Sequence, residues 1–180
     1  MLEEKINGVI RAVTESDFSE IYGFVKNAFK TAEVSDGTEQ DFVLELRKGA
    51  YLSELELVMV DKTGIIGHIM FTEQKVDVMD RSGVPFVFTG LLIAPLSVKL
   101  EYRNKGVGAA LMKEGFKRAV ERGYKAVFLV GNPEYYKRFG FKKTGCYGIK
   151  NESEIPDQFV LGCELVPDSL KGLTGSIKII

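Results

Sequence analysis

Hydrophobic and polar positions follow two rhythms along this chain, and the changes of rhythm mark its elements. Residues 8–13 read as a short strand. With Ser16 or Asp17 able to cap, the apolar residues Phe18, Ile21, Tyr22, Val25, Ala28 and Phe29 then recur three or four apart, on one helical face. Thr38-Glu39-Gln40-Asp41 has the form of a capping box and predicts a second helix that ends at Gly49. Residues 55–60 and 65–76, joined by Asp61-Lys62-Thr63-Gly64, predict a β-hairpin. The turn Asp80-Arg81-Ser82-Gly83 leads into a strand over 86–98. The best-defined helix covers about 106–122, with Leu111, Met112, Gly115, Phe116, Ala119 and Val120 as its stripe and Gly123 as its stop. The unbroken apolar run 126–130 predicts a strand covered on both faces. Asn132-Pro133-Glu134 opens a short helix with a cap, a first-turn proline and an acid at the positive dipole end; Gly140 closes it. Residues 141–147 and 159–166 read as the last strands, with a polar loop over 151–158. The order β-α-α-β-β-β-α-β-α-β-β predicts a mixed α/β (α+β) sheet with helices, in one domain over 1–180.

Composition narrows the classes. A chain of 180 residues with 45% apolar and 27% charged residues matches a globular domain rather than a disordered or fibrous one. Twenty-four basic against 25 acidic side chains leave a net charge of −1, which argues against nucleic acid or an anionic membrane as the partner. Cys146 and Cys163 are too few for a disulfide framework, and with His68 the only histidine an all-protein metal site is not expected. The acidic start MLEEKINGVIRAV is unlike a signal peptide, and no run approaches the ~18 apolar residues of a membrane span. The expectation is a cytoplasmic protein with reduced thiols.

The chemistry concentrates at Leu96-Ser97-Val98-Lys99-Leu100-Glu101-Tyr102-Arg103-Asn104-Lys105-Gly106-Val107-Gly108. A strand ends, a few residues turn, and a helix begins inside an Arg-x-x-Gly-x-Gly run. Glycines let the backbone curl closely, and the first helical N–H groups, lacking internal partners, converge on one spot at the positive dipole end. That arrangement suits a pyrophosphate. The Gly-x-Gly-x-x-Gly of a dinucleotide fold is absent, and Gly108 is followed by Ala109-Ala110 rather than the Lys-Ser/Thr of a Walker loop.

In these residues the chain resembles the GNAT superfamily of acetyl-coenzyme A-dependent N-acetyltransferases. Arg103-Asn104-Lys105-Gly106-Val107-Gly108 is similar to the family's pyrophosphate loop. The run 126–130 with Gly131-Asn132-Pro133 is similar to its next strand and helix start, and Tyr135-Tyr136-Lys137-Arg138-Phe139-Gly140-Phe141 to its Tyr-x-Arg/Lys-x-Gly-Phe segment. The resemblance implies a mostly antiparallel central sheet with a splay between two parallel strands. It implies that the backbone of Leu96, Ser97 and Val98 bonds the pantetheine arm, and that the N–H groups of Arg103, Asn104, Lys105, Gly106, Val107 and Gly108 hold the pyrophosphate. Asn132 would touch the pantetheine, although an ordinary N-cap accounts for it as well. Tyr136 would protonate the departing thiolate, and Tyr135 would pack. Leu100 departs from the family, where many members have proline.

A tyrosine of ordinary pKa about 10 can protonate an alkyl thiolate of similar basicity, and a backbone N–H, that of Val98, can polarise the thioester carbonyl. Acyl transfer also needs a neutral amine, and here the residues leave the base open. Glu33, Glu39 and Glu73 are candidates on the acceptor side, with Asp36 beside them, yet each has an ordinary reading as a solvated carboxylate. His68, on an apolar strand, reads as a core histidine, and the two cysteines as packing residues.

Charge order adds an independent point. Residues 1–60 carry 6 basic and 12 acidic side chains, residues 61–150 carry 16 and 8, and residues 151–180 carry 2 and 5. The basic excess falls on the segment that resembles the coenzyme site, and the acidic segment suits a cationic amine. The partners implied are acetyl-CoA as co-substrate and a small-molecule or protein amine; oligomeric state is not legible, and a homodimer is one state allowed. A coenzyme A-binding sensor or scaffold without catalysis is the rival reading, against which Tyr136 speaks. A nucleic-acid-binding protein is a third, for which no recognition motif is present.

Overall fold

The computed structural model describes residues 6–32 and 35–179. Among these the elements run β1 (Val9–Ala12), α1 (Phe18–Phe29), α2 (Glu39–Lys48), β2 (Glu56–Asp61), β3 (Gly64–Met79), β4 (Pro85–Val98), α3 (Val107–Glu121), β5 (Ala126–Val130), α4 (Pro133–Tyr136), β6 (Lys142–Lys143), β7 (Ile149–Asn151), β8 (Val160–Glu164) and β9 (Thr174–Ile177). The strands form a mixed, mostly antiparallel arrangement flanked by helices: the element order predicts the mixed sheet, and the family resemblance its mostly antiparallel pairing. The backbone divides into two compact units, Met1–Thr72 with Ala94–Arg118, and Glu73–Ile93 with Ala119–Ile180.

In the first unit β1 pairs antiparallel with β2, and β2 with the first part of β3, from Glu56↔Met70 to Asp61↔Gly64. Helix α1 turns Ile21 and Val25 onto Val13, Val58 and Ile65, the face that its three-and-four spacing prescribes. The expected caps differ. Ser16 and Asp17 form a 3₁₀ turn before α1, and the Asp17 carboxylate reaches back to accept from the Thr14 amide at 2.8 Å. At α2 the capping box does not form: the Thr38 amide, from which the Asp41 side chain would accept in the box, donates to Asp36 at 2.9 Å instead. Asp36 and Asp41 are alternative acceptors for one backbone amide, and Asp36 holds it.

In the second unit β4 and β5 run parallel, from Leu91↔Val127 to Ile93↔Leu129. β8 lies antiparallel to β5 and to β6. β5 is buried from Ala126 to Leu129, as its apolar run requires. Two expectations fail here. Residues 141–147 give only the two-residue β6 before a 3₁₀ turn over Thr144–Tyr147, because Gly145 and the left-handed Gly148 curl the chain. The strand at 159–166 is not the last: β9 follows, antiparallel to the end of β3 and parallel to β7. Among the described residues no helix is long and apolar enough to cross a membrane.

Candidate functional site

The strand–turn–helix segment at 96–108 lies in the first unit. β4 ends at Val98; Leu96 and Val98 are half-buried and Ser97 is buried. A 3₁₀ turn over Leu100–Tyr102 follows, then Asn104 at φ 60° and Gly106 at φ 86°. The left-handed conformation at Gly106 is one that side chains resist, so this glycine is a requirement of the turn. Ala110 donates to the Gly106 carbonyl at 2.9 Å, so the amides of Val107, Gly108 and Ala109 precede the first bond of α3. They carry the positive end of a helix of 15 residues, a setting for phosphate oxygens.

Two contacts fix this segment from below. A Cβ built on Gly67 of β3 would lie 2.6 Å from Val107 and 2.7 Å from Leu111, so α3 seats its first turns directly on the strand. The Arg103 guanidinium donates to the Ala28 carbonyl at 2.5 Å, the Thr31 hydroxyl at 2.7 Å and the Val98 carbonyl at 3.3 Å. Its side chain is therefore committed to the protein itself. Lys105 is exposed on the same loop, and its ammonium and that of half-buried Lys99 each lie 5.8 Å from the Tyr102 ring.

Asn132 and Tyr136 lie in the second unit. The Asn132 side chain caps α4, accepting from the Glu134 amide at 2.9 Å. Tyr136 packs edge-on to Tyr135 and Phe141, at centroid distances of 4.8 and 5.7 Å. Burial, with Tyr135 adding and Arg138 opposing, pushes the Tyr136 hydroxyl above its ordinary pKa. Gly131 makes the ring's seat: a Cβ there would meet it at 2.5 Å. Sequence reasoning missed Gly131, which looks like any turn glycine until the ring is placed. Tyr135 is more exposed and has Arg138 stacked 4.3 Å from its centroid, the packing role expected of it.

Glu33 lies outside the described residues. Glu39 starts α2, with one oxygen 3.3 Å from the Asp36 amide and the other buried without a partner. Glu73 lies in the second unit, exposed on β3, where it accepts from the Tyr124 hydroxyl at 2.8 Å. Cys146 is exposed; Cys163 is buried, and that burial pushes its thiol up to about 11, a packing residue rather than a nucleophile. Among the described residues no three His, Cys, Asp or Glu side chains gather as metal ligands.

A buried polar cluster in the first unit went unseen in the sequence. Glu56 accepts from Arg47 at 2.5 and 3.1 Å, from the Tyr51 hydroxyl at 2.6 Å, and lies 2.8 Å from His68 Nε2. Burial would raise its carboxyl, yet these bonds outweigh it and bring it down to about 2. Asp17, clasped by both Arg11 nitrogens at 2.7 and 2.9 Å, is likewise held well below the carboxylate range. Both native values lie below the unfolded ones of about 4, so the stabilisation is complete above them and is lost as pH falls from about 5 toward 2. Urea midpoints should therefore hold steady from pH 7 to 5 and drop steeply below about 4. A flat profile to pH 3 would contradict the assignment.

Comparison with known proteins agrees with this geometry. Residues 9–144 match the acetyltransferase (GNAT) domain. YhbS of Escherichia coli (strain K12), described as an uncharacterized N-acetyltransferase, is 31% identical over 141 residues, which are 78% of this chain and 80% of that protein. The crystal structure of Escherichia coli YhbS in complex with CoA superposes with a TM-score of 0.78 at 26% identity, over 96% of this chain and 89% of that one. A GNAT family acetyltransferase from Brucella melitensis in complex with acetyl-CoA gives 0.68 at 25% identity, over 93% and 95%. A match this long in both sequence and backbone leaves one conclusion: the chain belongs to the GNAT family, and it is a GNAT-type N-acetyltransferase.

Proposed function

We propose that the chain acts as one domain that moves the acetyl group of acetyl-CoA directly to a primary amine in a ternary complex. The observation that carries this is the segment 96–108, whose left-handed Gly106 and leading α3 amides make a phosphate cradle at the end of a strand. The backbone of Leu96, Ser97 and Val98 would bond the pantetheine arm, and that of Arg103, Asn104, Lys105, Gly106, Val107 and Gly108 the pyrophosphate. Lys99 and Lys105 add positive charge for the phosphates. Asn132 spends its side-chain oxygen on its own helix, so any contact with the pantetheine falls to its amide nitrogen or backbone. Tyr136 supplies the proton to the sulfur: its hydroxyl is protonated at neutral pH, and burial, by raising its pKa, makes it a weaker acid than an ordinary tyrosine. The acetyl-CoA and CoA complexes of the two relatives support the donor. The acidic N-terminal third supports a cationic acceptor, with Glu33 and Glu39 of that third, and Glu73 beyond it, as candidate walls. We place the enzyme in the cytoplasm, with both thiols reduced.

Acetyl-CoA at a hundredfold excess over its dissociation constant should stabilise the native state by about 2.7 kcal/mol, which for this chain length is about 5 to 10 °C in Tm. With acetyl-CoA bound, a panel of polyamines, amino acids, aminoglycosides and peptides should include one that releases free thiol. No thermal shift would remove the donor; a shift without thiol release from any amine would leave binding alone.

A further inference from the structure

Tyr102 ends the 3₁₀ turn after β4 and stands directly before Arg103. Its hydroxyl donates to Asp61 Oδ2 at 2.5 Å, reaching the turn between β2 and β3. The other Asp61 oxygen serves that turn itself, accepting from the Thr63 amide at 2.7 Å and the Thr63 hydroxyl at 2.6 Å. One carboxylate thus joins residues 41 apart in the chain. The Thr63 hydroxyl, then Tyr102, hold its carboxyl below the ordinary value, and the nearby Lys99 ammonium adds to this. By charge alone Asp61 is misplaced, because a carboxylate beside a phosphate site repels the ligand. Its presence needs a reason.

The ring that it holds provides one. The ammonium groups of Lys99 and Lys105 both lie over the Tyr102 ring, 5.8 Å from its centroid, inside the ~6 Å reach of a cation–π attraction. A phenol that donates to a carboxylate keeps more electron density, which deepens the negative face that draws the two cations. Free lysine side chains are rich in rotamers, so gathering two of them for a ligand costs entropy unless something holds them beforehand. The backbone below is fixed as well. The Lys99 amide donates to the Ile66 carbonyl of β3 at 3.0 Å, and the Tyr102 amide to the Lys99 carbonyl at 2.8 Å. Tyr102 and Arg103 therefore tie adjacent points of the turn to different neighbours, the first to the β2–β3 turn and the second to α1 and the end of β4.

We propose that Asp61 and Tyr102 form a clasp that holds Lys99 and Lys105 for the phosphates of the coenzyme, and that this clasp makes the enzyme select a phosphate-bearing donor over the same thioester on pantetheine alone. Lys99 and Lys105 meet the ligand; Tyr102 and Asp61 are positioning residues that act through them. The clasp rests on the donor reading above and assigns part of its selectivity to two side chains outside the 103–108 loop.

Binding to the full chain tests this without any amine. By calorimetry, Tyr102→Leu should weaken acetyl-CoA about tenfold, and Tyr102→Phe, which keeps the ring but not the bond to Asp61, about threefold. The affinity for S-acetylpantetheine, read by displacement of acetyl-CoA, should stay within about twofold in both variants. An equal loss for the two donors is what a merely structural role gives, and it overturns the clasp. Lys105→Ala should weaken acetyl-CoA about threefold in the wild type and less than about twofold in the Tyr102→Leu background; additive losses overturn it. Asp61→Ala gives opposite signs: the clasp requires weaker acetyl-CoA binding, whereas removal of a repelling charge alone would tighten it. Tighter or unchanged binding overturns the proposal. Where Tyr102→Leu does not fold, Tyr102→Phe, which lacks a single oxygen, carries the same comparisons. A wild type that binds neither donor removes the donor reading and the clasp together. A wild type that binds acetyl-CoA, with variants that bind it equally well, removes the clasp alone.

Discussion

Replacing Tyr136 by phenylalanine should lower the turnover number about 10²- to 10⁴-fold while leaving acetyl-CoA affinity nearly unchanged. The ring is held by Tyr135, Phe141 and the bare backbone of Gly131, none of which needs the hydroxyl. Phenylalanine therefore keeps the packing and removes only the hydroxyl, the proposed proton donor. Calorimetry for the coenzyme and thiol release for turnover separate the two quantities. Tyr135→Phe is the internal control, since that ring serves by stacking on Arg138 and its hydroxyl has no assigned task. If the Tyr135 variant loses activity and the Tyr136 variant does not, the acid is Tyr135. If both remain active, water protonates the sulfur.

A second large effect is expected at Gly106. No heavy atom lies within 4 Å of a Cβ built there, so space is not the obstacle; the φ of 86° is. A β-branched residue such as valine meets a penalty of about 1–2 kcal/mol in the left-handed region, so the turn should relax and withdraw its amides. Gly106→Val should then weaken acetyl-CoA about tenfold or more and abolish most of the ligand-induced rise in Tm. Gly67→Ala serves as contrast, since its fault is steric: a Cβ pressed onto Val107 and Leu111 should cost about 1–3 kcal/mol of stability even without ligand. An unchanged thermal shift in Gly106→Val would remove the loop from the coenzyme site.

The elements that could be read in the sequence are those whose signal is local. Helix α1 followed from its spacing, α3 from its stripe and its stop at Gly123, and the β4-to-α3 loop from three residues of glycine pattern. β9 could not be read this way. Thr174-Gly175-Ser176-Ile177 looks like a turn because of Gly175, yet that glycine is there because the Asp77 backbone lies against it in the β3 pairing. A strand defined by a partner almost a hundred residues away leaves little trace in its own four residues. The same holds for the Glu56 cluster: Arg47, Tyr51, Glu56 and His68 come from a helix, a turn and two strands, and only folding joins them. His68 taken alone reads as a core residue, and it is one; its second, unpartnered nitrogen appears only in three dimensions.

Arg103 carries a kinetic consequence. Its guanidinium is already committed to the end of β4, to the last turn of α1 and to Thr31, so the curl that leads to Gly106 is held by protein contacts alone. Ordering a loop of this length at the moment of ligand arrival would cost roughly 1–2 kcal/mol of backbone entropy for each residue fixed. Here that loss is incurred when the chain folds, and an arriving coenzyme would meet a loop already held in place. Association should then proceed in one concentration-dependent phase without a slower ordering step, as rigid partners dock. Arg103→Lys, which replaces a fork of donors by a single ammonium, would return the ordering cost to the binding step.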